Sequence, residues 1–259
     1  MKTIRIMAAA AAALLLAGAC THETQMTTAK VEDGGSAPLF KDQEESPCMA
    51  YSYDFEYVTG GVSDALKDKI NGTIVRYFIT GNEELQTSDV PAACKAWEER
   101  TISSYYADNE EYLEDYDPEN SWMYNWESTI SGGFSTRCDA RNWQTYMGGG
   151  SDYLGGAHPY SYGGYVVFDM STGEEVKEAD FLDVENSDLY DLLFAKVLEA
   201  MDTEEPEDLL DAPTFNANFS VDNEGVTWLF NPYEVAAYAY GPIEATLTWE
   251  ELEPYLLKK

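Results

Sequence analysis

The groups that could do chemistry are unevenly supplied. The chain carries 48 Asp and Glu residues and four cysteines, but only two histidines, His22 and His158. His22 sits in a polar stretch near the N-terminus, so a two-histidine metal site or a Ser-His-Asp set would have to be built on His158 alone. With so many carboxylates, an acid near His158 carries little information about general-base catalysis. The surrounding "GGAHPYSYGG" favours architecture: Gly155 and Gly156 permit positive φ or close backbone approach, and a ring nitrogen bonded to a backbone carbonyl would fix the imidazole. A stiff loop of this kind is also a contact surface. Gly155, Gly156, His158 and Tyr160 are therefore candidate binding residues, with no catalytic role assigned.

A second candidate is "NPYEVAAYAYGP", residues 231–242. Its prolines and Gly241 hold Tyr233, Glu234, Tyr238 and Tyr240 in an irregular segment. That segment is either a buried corner in which tyrosine hydroxyls satisfy backbone groups or a ligand-facing loop of rigid aromatic contacts. "DYDPEN" at 115–120 has alternating carboxylates but lacks the sixth-position glycine of a calcium loop, and Trp126 stands where the closing glutamate belongs. No metal set and no cofactor motif is read elsewhere.

The first cysteine has a different role. Lys2 and Arg5 precede an apolar run through Leu16, and "LLLAGAC" brings small residues up to Cys20. This is a secretory signal over 1–19, too short to span a bilayer, and it predicts cleavage before Cys20 with a lipid on its thiol. The protein is then expected in the bacterial cell envelope, extracytoplasmic and membrane-anchored. Of the other thiols, Cys48, Cys94 and Cys138 show no close pair of the zinc or redox kind, and an oxidising compartment permits one disulfide with one thiol left over.

Cleavage would remove two of the 15 basic residues and none of the acids, taking the formal charge from −33 to about −35. Such a field repels nucleic acid and anionic lipid and speeds encounter with cationic partners. With 44% hydrophobic and 14% aromatic residues, the chain has the material for a core despite that charge.

The elements that must position these residues follow from periodicity. Residues 20–47 are polar and small and read as a flexible tether. Tyr51, Tyr53, Phe55 and Tyr57 alternate with polar residues in a half-buried strand. Val62, Leu66, Ile70 and Ile74 form a helical stripe; Val90, Cys94, Trp97 and Thr101 form another, capped from Ser88. Two or three antiparallel strands fit 122–147. In the second half, 162–169 reads as a strand, "MSTG" as a turn and "EEVKEADFL" as its short return. A helix runs through Leu189 to Met201 from a cap at Asn186 or Ser187. A hairpin turns at 223–225, "IEATLTW" is a strand, and Thr248 with Glu251 opens a last helix ending at Leu257. The fold class is α+β: antiparallel sheets packed with helices, in two intimately associated halves at 48–149 and 150–259.

"GGAH", the tyrosine-rich strand, "DMSTGEEVKEADFL", a helix and "WLFNPYEVAAYAYGPIEATLTWEEL" follow one another in an order that resembles the C-terminal domain of RsiV-type anti-sigma factors. The same domain type accompanies some secreted peptidoglycan deacetylases and occurs in bacterial lipoproteins. The resemblance covers about 150–257, with 48–149 in the place of the usual preceding domain, and Ala237 stands where relatives often carry proline. It implies a fold and a type of ligand: lysozyme or another cationic partner, or cell-wall material. The chain carries no sigma-binding segment and no catalytic deacetylase domain, so the resemblance transfers no reaction. The leading expectation is a non-catalytic binding module; the alternatives are an envelope hydrolase using His158 with carboxylates, and a purely structural envelope protein.

Overall fold

The computed structural model describes residues 26–43, 45–81 and 87–258; the predicted signal segment, Cys20 and the first residues of the predicted tether lie outside these. Five strands form one sheet in spatial order β1 (Thr27–Pro38), β2 (Cys48–Gly60), β3 (Trp126–Cys138), β4 (Trp143–Tyr153) and β5 (Tyr160–Asp169). Three more, β6 (Phe219–Val221), β7 (Gly225–Phe230) and β8 (Ile243–Thr248), form a small antiparallel sheet. The α+β expectation holds. Every neighbouring pair is antiparallel except β2 and β3, which run parallel. The cause is the crossover between them, α1 (Asp64–Ile74) and α2 (Val90–Asn109), which carries the chain back to its starting end.

The tether expectation fails for 27–38. These residues pair with β2 along the whole of β1, from Thr27 opposite Gly60 to Pro38 opposite Cys48. A stretch of TTAKVEDGGSAP shows no side-chain periodicity because it is an edge strand: the ladder is made by backbone groups, and most of its side chains face water.

Alternation along the sheet serves two cores. Phe55, Ile130, Tyr146, Val166 and Phe168 face α1, α2 and the π-helical turn Val75–Thr80 that prolongs α1. From that turn Phe78 lies flat on the sheet, where a Cβ at Gly148 would come within 2.5 Å of its ring; only glycine lets the ring sit there. On the opposite face Trp143 and Val167 join Phe181, Trp228, Phe230 and Leu247, together with Leu189, Leu193 and Val197 from α3 (Ser187–Ala200). Thr145 ties the sheets together, its Oγ1 donating to Val221 O at 3.2 Å and accepting from Val221 N at 3.1 Å. A smaller cluster of Ala37, Leu39, Met49 and Tyr105 closes the far end of β1.

The predicted division at 149/150 therefore falls inside β4, and β5 hydrogen-bonds to β4 across it. Hydrophobic pattern identifies strands without saying which sheet they join, and one sheet takes strands from both halves. Smaller corrections have local causes. The α2 cap is Asp89, which accepts from Ala92 N, while Ser88 donates to Asp68. The "EEVKEADFL" return makes a single bridge, Phe168 to Glu175, before a 3-10 turn at Glu178–Asp180. The C-terminal helix α4 (Trp249–Leu252) opens with the Thr248/Glu251 box but gives way to the 3-10 turn Glu253–Tyr255, which contains Pro254. No helix among the described residues is long and apolar enough to cross a membrane.

Candidate functional site

The β4–β5 connection, residues 154–159, lies at the end of the large sheet where Pro38, Trp126 and Tyr153 also lie. Gly155 has φ +77°, and a Cβ there would meet Met123 O at 2.0 Å, so its lack of a side chain locks the loop against the 3-10 segment Pro118–Tyr124. Gly156 has open space around it; the expectation of backbone need holds for Gly155 and fails for Gly156.

His158 is exposed. Its Nδ1 lies 2.9 Å from Pro159 O, and its ring stacks on Tyr238 at 4.1 Å and 26°. Among the described residues no carboxylate bonds to the ring. Tyr238 donates its hydroxyl to the same Pro159 carbonyl at 3.1 Å, and its ring meets Tyr233 at 5.8 Å. On the other side of Pro159, Tyr160 and Tyr162 stack at 6.1 Å on one face of β5. Tyr162 is packed over Gly150, and burial raises the pKa of its phenol. Two aromatic pairs thus meet at one proline.

The 231–242 segment is held to β5 by side chains acting as a strand. Asn231 accepts from Gly163 N at 2.7 Å and donates to Gly163 O at 3.0 Å, while Asn218 accepts from Tyr165 N at 2.8 Å. These amides close the free edge of β5. Glu234 serves the same turn, its Oε2 accepting from Asn231 N. Both alternatives read for this segment occur in it: Tyr238 satisfies a backbone carbonyl, whereas Tyr233 and Tyr240 are exposed. Tyr233 also has φ +73°. A bulky residue there costs on the order of 1–3 kcal/mol, and such strain concentrates at functional positions.

Sequence reasoning missed three contributors. Trp122 and Met123 are 53% and 48% exposed, with the Met123 backbone against Gly155, and Leu154, next to Gly155, is 57% exposed. A further signal was legible but unread. The chain has no Lys or Arg in 101–136, 142–176 or 197–257, and the three segments that converge here come from those three stretches. This end of the molecule thus combines exposed aromatic surface from base-free stretches with one nearby cation, Lys41, three residues beyond Pro38. In "DYDPEN" both Asp117 oxygens are taken up within the 3-10 segment, accepting from Glu119 N and Asn120 Nδ2.

The three described thiols are free. Cys94 and Cys138 lie in different cores, and Cys48 is half-buried at the start of β2, so the permitted disulfide does not form among them.

The architecture is that of an α+β protein with a mixed five-stranded sheet clad on one face by helices and on the other by a small antiparallel sheet and a helix. Residues 179–250 match the family model described as "Protein of unknown function (DUF3298)", inside the stretch that resembles the RsiV-type domain. A crystal structure of a DUF3298 family member from Bacteroides fragilis NCTC 9343 is similar over 90% of this chain and 94% of that chain, with 21% identity and a TM-score of 0.78. A DUF3298 family protein from Pseudomonas aeruginosa PAO1 is similar over 91% and 96%, with 15% identity and a TM-score of 0.63. At these identities the likeness is one of fold, and it covers both halves of the chain. No curated protein matches it.

Proposed function

We propose that the protein is a lipid-anchored, non-catalytic binding module of the bacterial envelope that docks a cationic macromolecule through the aromatic end built on His158, Tyr160, Tyr233 and Tyr238. The observation that carries this reading is the convergence of exposed, pre-fixed aromatic rings from three stretches without a basic residue. Long-range attraction raises the encounter rate with a basic partner, and rigid tyrosines supply desolvated contact at low entropic cost. Lysozyme is the first partner to try, on the strength of the RsiV-type resemblance.

The test is calorimetry against lysozyme and against an unrelated protein of equal basicity across a salt series, with wild type and Tyr233→Gly. Specific docking predicts lysozyme binding that persists at about 0.15 M salt, where exposed charges are screened beyond about 8 Å. Tyr233→Gly should weaken it at least tenfold while holding or raising the melting temperature, since glycine relieves the positive φ. Equal affinity for both proteins, vanishing together as salt rises, would reduce the interaction to generic charge.

A further inference from the structure

We infer that the outer edge of β1 takes up an extended, lysine- or arginine-bearing segment of another protein, which adds antiparallel to the five-stranded sheet as one more strand. The segment 31–37 is the receiving stretch. None of its residues belongs to the aromatic cluster, so a partner at this edge stands whether or not that cluster docks anything.

The register says which backbone groups are free. Leu39 N donates to Pro47 O at 2.7 Å, one step beyond the Pro38–Cys48 pair. Bonded and non-bonded pairs alternate along an antiparallel ladder, so Val31, Asp33, Gly35 and Ala37 turn their N–H and C=O groups to β2. Glu32, Gly34 and Ser36 turn theirs outward. The same alternation points the backbone of Cys48 and Val58 away from β1, and there Cys48 N donates to Asn125 while Val58 is held at both groups by Asn71. Outside, Gly34 N is met by the Asp33 carboxylate at 2.8 Å; among the described residues no other strand pairs with this edge.

Edges are ordinarily guarded by shortness, a bulge, a proline or a lysine. The 31–37 run has none of these: Lys30 and Pro38 bracket it, and the one register shift falls back at Thr27/Thr28. Its middle, Glu32 to Ser36, is exposed throughout. The opposite edge of the same sheet is treated differently, since Asn231 and Asn218 occupy the backbone groups of β5.

Charge selects the occupant. Lys30 is bonded to both oxygens of Asp54, and Lys95 to Glu98, whereas Glu32 and Asp33 form no salt bridge among the described residues. These two carboxylates project to opposite faces of the edge, so an added strand with adjacent cations meets both, and opposite charges paired across strands are favourable. Beside them Gly34 and Gly35 leave room for β-branched side chains of the added strand. A second copy of this chain would bring a formal charge of −33 to an equal one, which opposes self-pairing.

The probe is the acetylated, amidated peptide Val-Thr-Val-Thr-Lys-Lys-Val, whose lysines fall opposite Asp33 and Glu32 in antiparallel register. Binding to the purified protein is read by fluorescence anisotropy, beside the same peptide N-methylated at its second, fourth and sixth residues. The methylated form keeps the charge but loses its donors toward β1, and should bind at least about tenfold more weakly. Glutamate in place of both lysines should abolish binding. Ser36→Pro removes an outward N–H and leaves the ladder to β2 intact, so it should weaken the lysine peptide roughly threefold or more with melting unchanged; should that variant misfold, the methylated pair still decides. Equal binding of the two lysine peptides would reduce the contact to charge and overturn the inference, as would binding by neither. Self-association that Ser36→Pro abolishes in sedimentation would give the edge to a second copy and overturn the assigned partner.

Discussion

Val166 and Val167 are neighbours in β5, yet Val166 is buried against the helices α1 and α2 while Val167 is buried against the small sheet and α3. One strand is a shared wall of both cores, which ties the stability of each half to the other. Val166→Ala and Val167→Ala should each cost about 1–3 kcal/mol and should lower the same single thermal transition. A fragment of 150–259 should fail to fold, because it would expose the edge of β5 that β4 covers and the Val166 face. Two resolved transitions in calorimetry, or a folded fragment by circular dichroism, would contradict this.

Gly155 and Gly156 make a matched pair. Gly155→Ala forces a Cβ onto Met123 O at positive φ and should cost more than about 2 kcal/mol or displace the loop, weakening partner binding. Gly156→Ala meets no atom within 4 Å and should leave both melting and binding within error. Equal effects of the two substitutions would show that the loop is not held by the Met123 contact.

His158 is exposed and its hydrogen bond is to the adjacent residue, so His158→Ala should cost under about 1 kcal/mol of stability. That is smaller than the penalty expected of a buried, partner-dependent histidine. Loss of the Tyr238 stack should appear in the partner's dissociation rate. A drop of several kcal/mol in chemical denaturation would mean the ring is structural after all.

Alkaline pH should destabilise the protein before it reaches the tyrosines' usual range. Burial raises Cys94 from 9.0 to about 12, and it raises Tyr53 and Tyr165 from 10.0 to about 12. The unfolded chain loses these protons first. The stability they contribute is therefore complete below about pH 9 and declines as pH rises from 9 towards 12. Melting temperature should fall over that window, and Cys94→Ala should show a shallower fall than wild type. Identical slopes would show that the thiol stays protonated in both states or in neither.

Local interactions made a good part of this protein legible from its residues. The alternation of Tyr51 to Tyr57, the stripe of Leu66, Ile70 and Ile74, the Asn186 cap, the Thr248/Glu251 box and the turn at 223–225 each depend on neighbours within a few residues, and each appears where periodicity and capping place it. The candidate loops were legible as well, because glycine, proline and tyrosine in close succession restrict a backbone wherever they occur. Tertiary structure decided the rest. β1 became a strand through its ladder to β2, since an edge strand needs a partner's backbone more than a pattern of its own. β4 and β5 joined a sheet begun in the first half because strand periodicity says which face is apolar and is silent about which neighbour covers it. The aromatic end exists only where three distant stretches without a base meet: charge along a sequence becomes a surface potential only after the fold has chosen which stretches lie side by side.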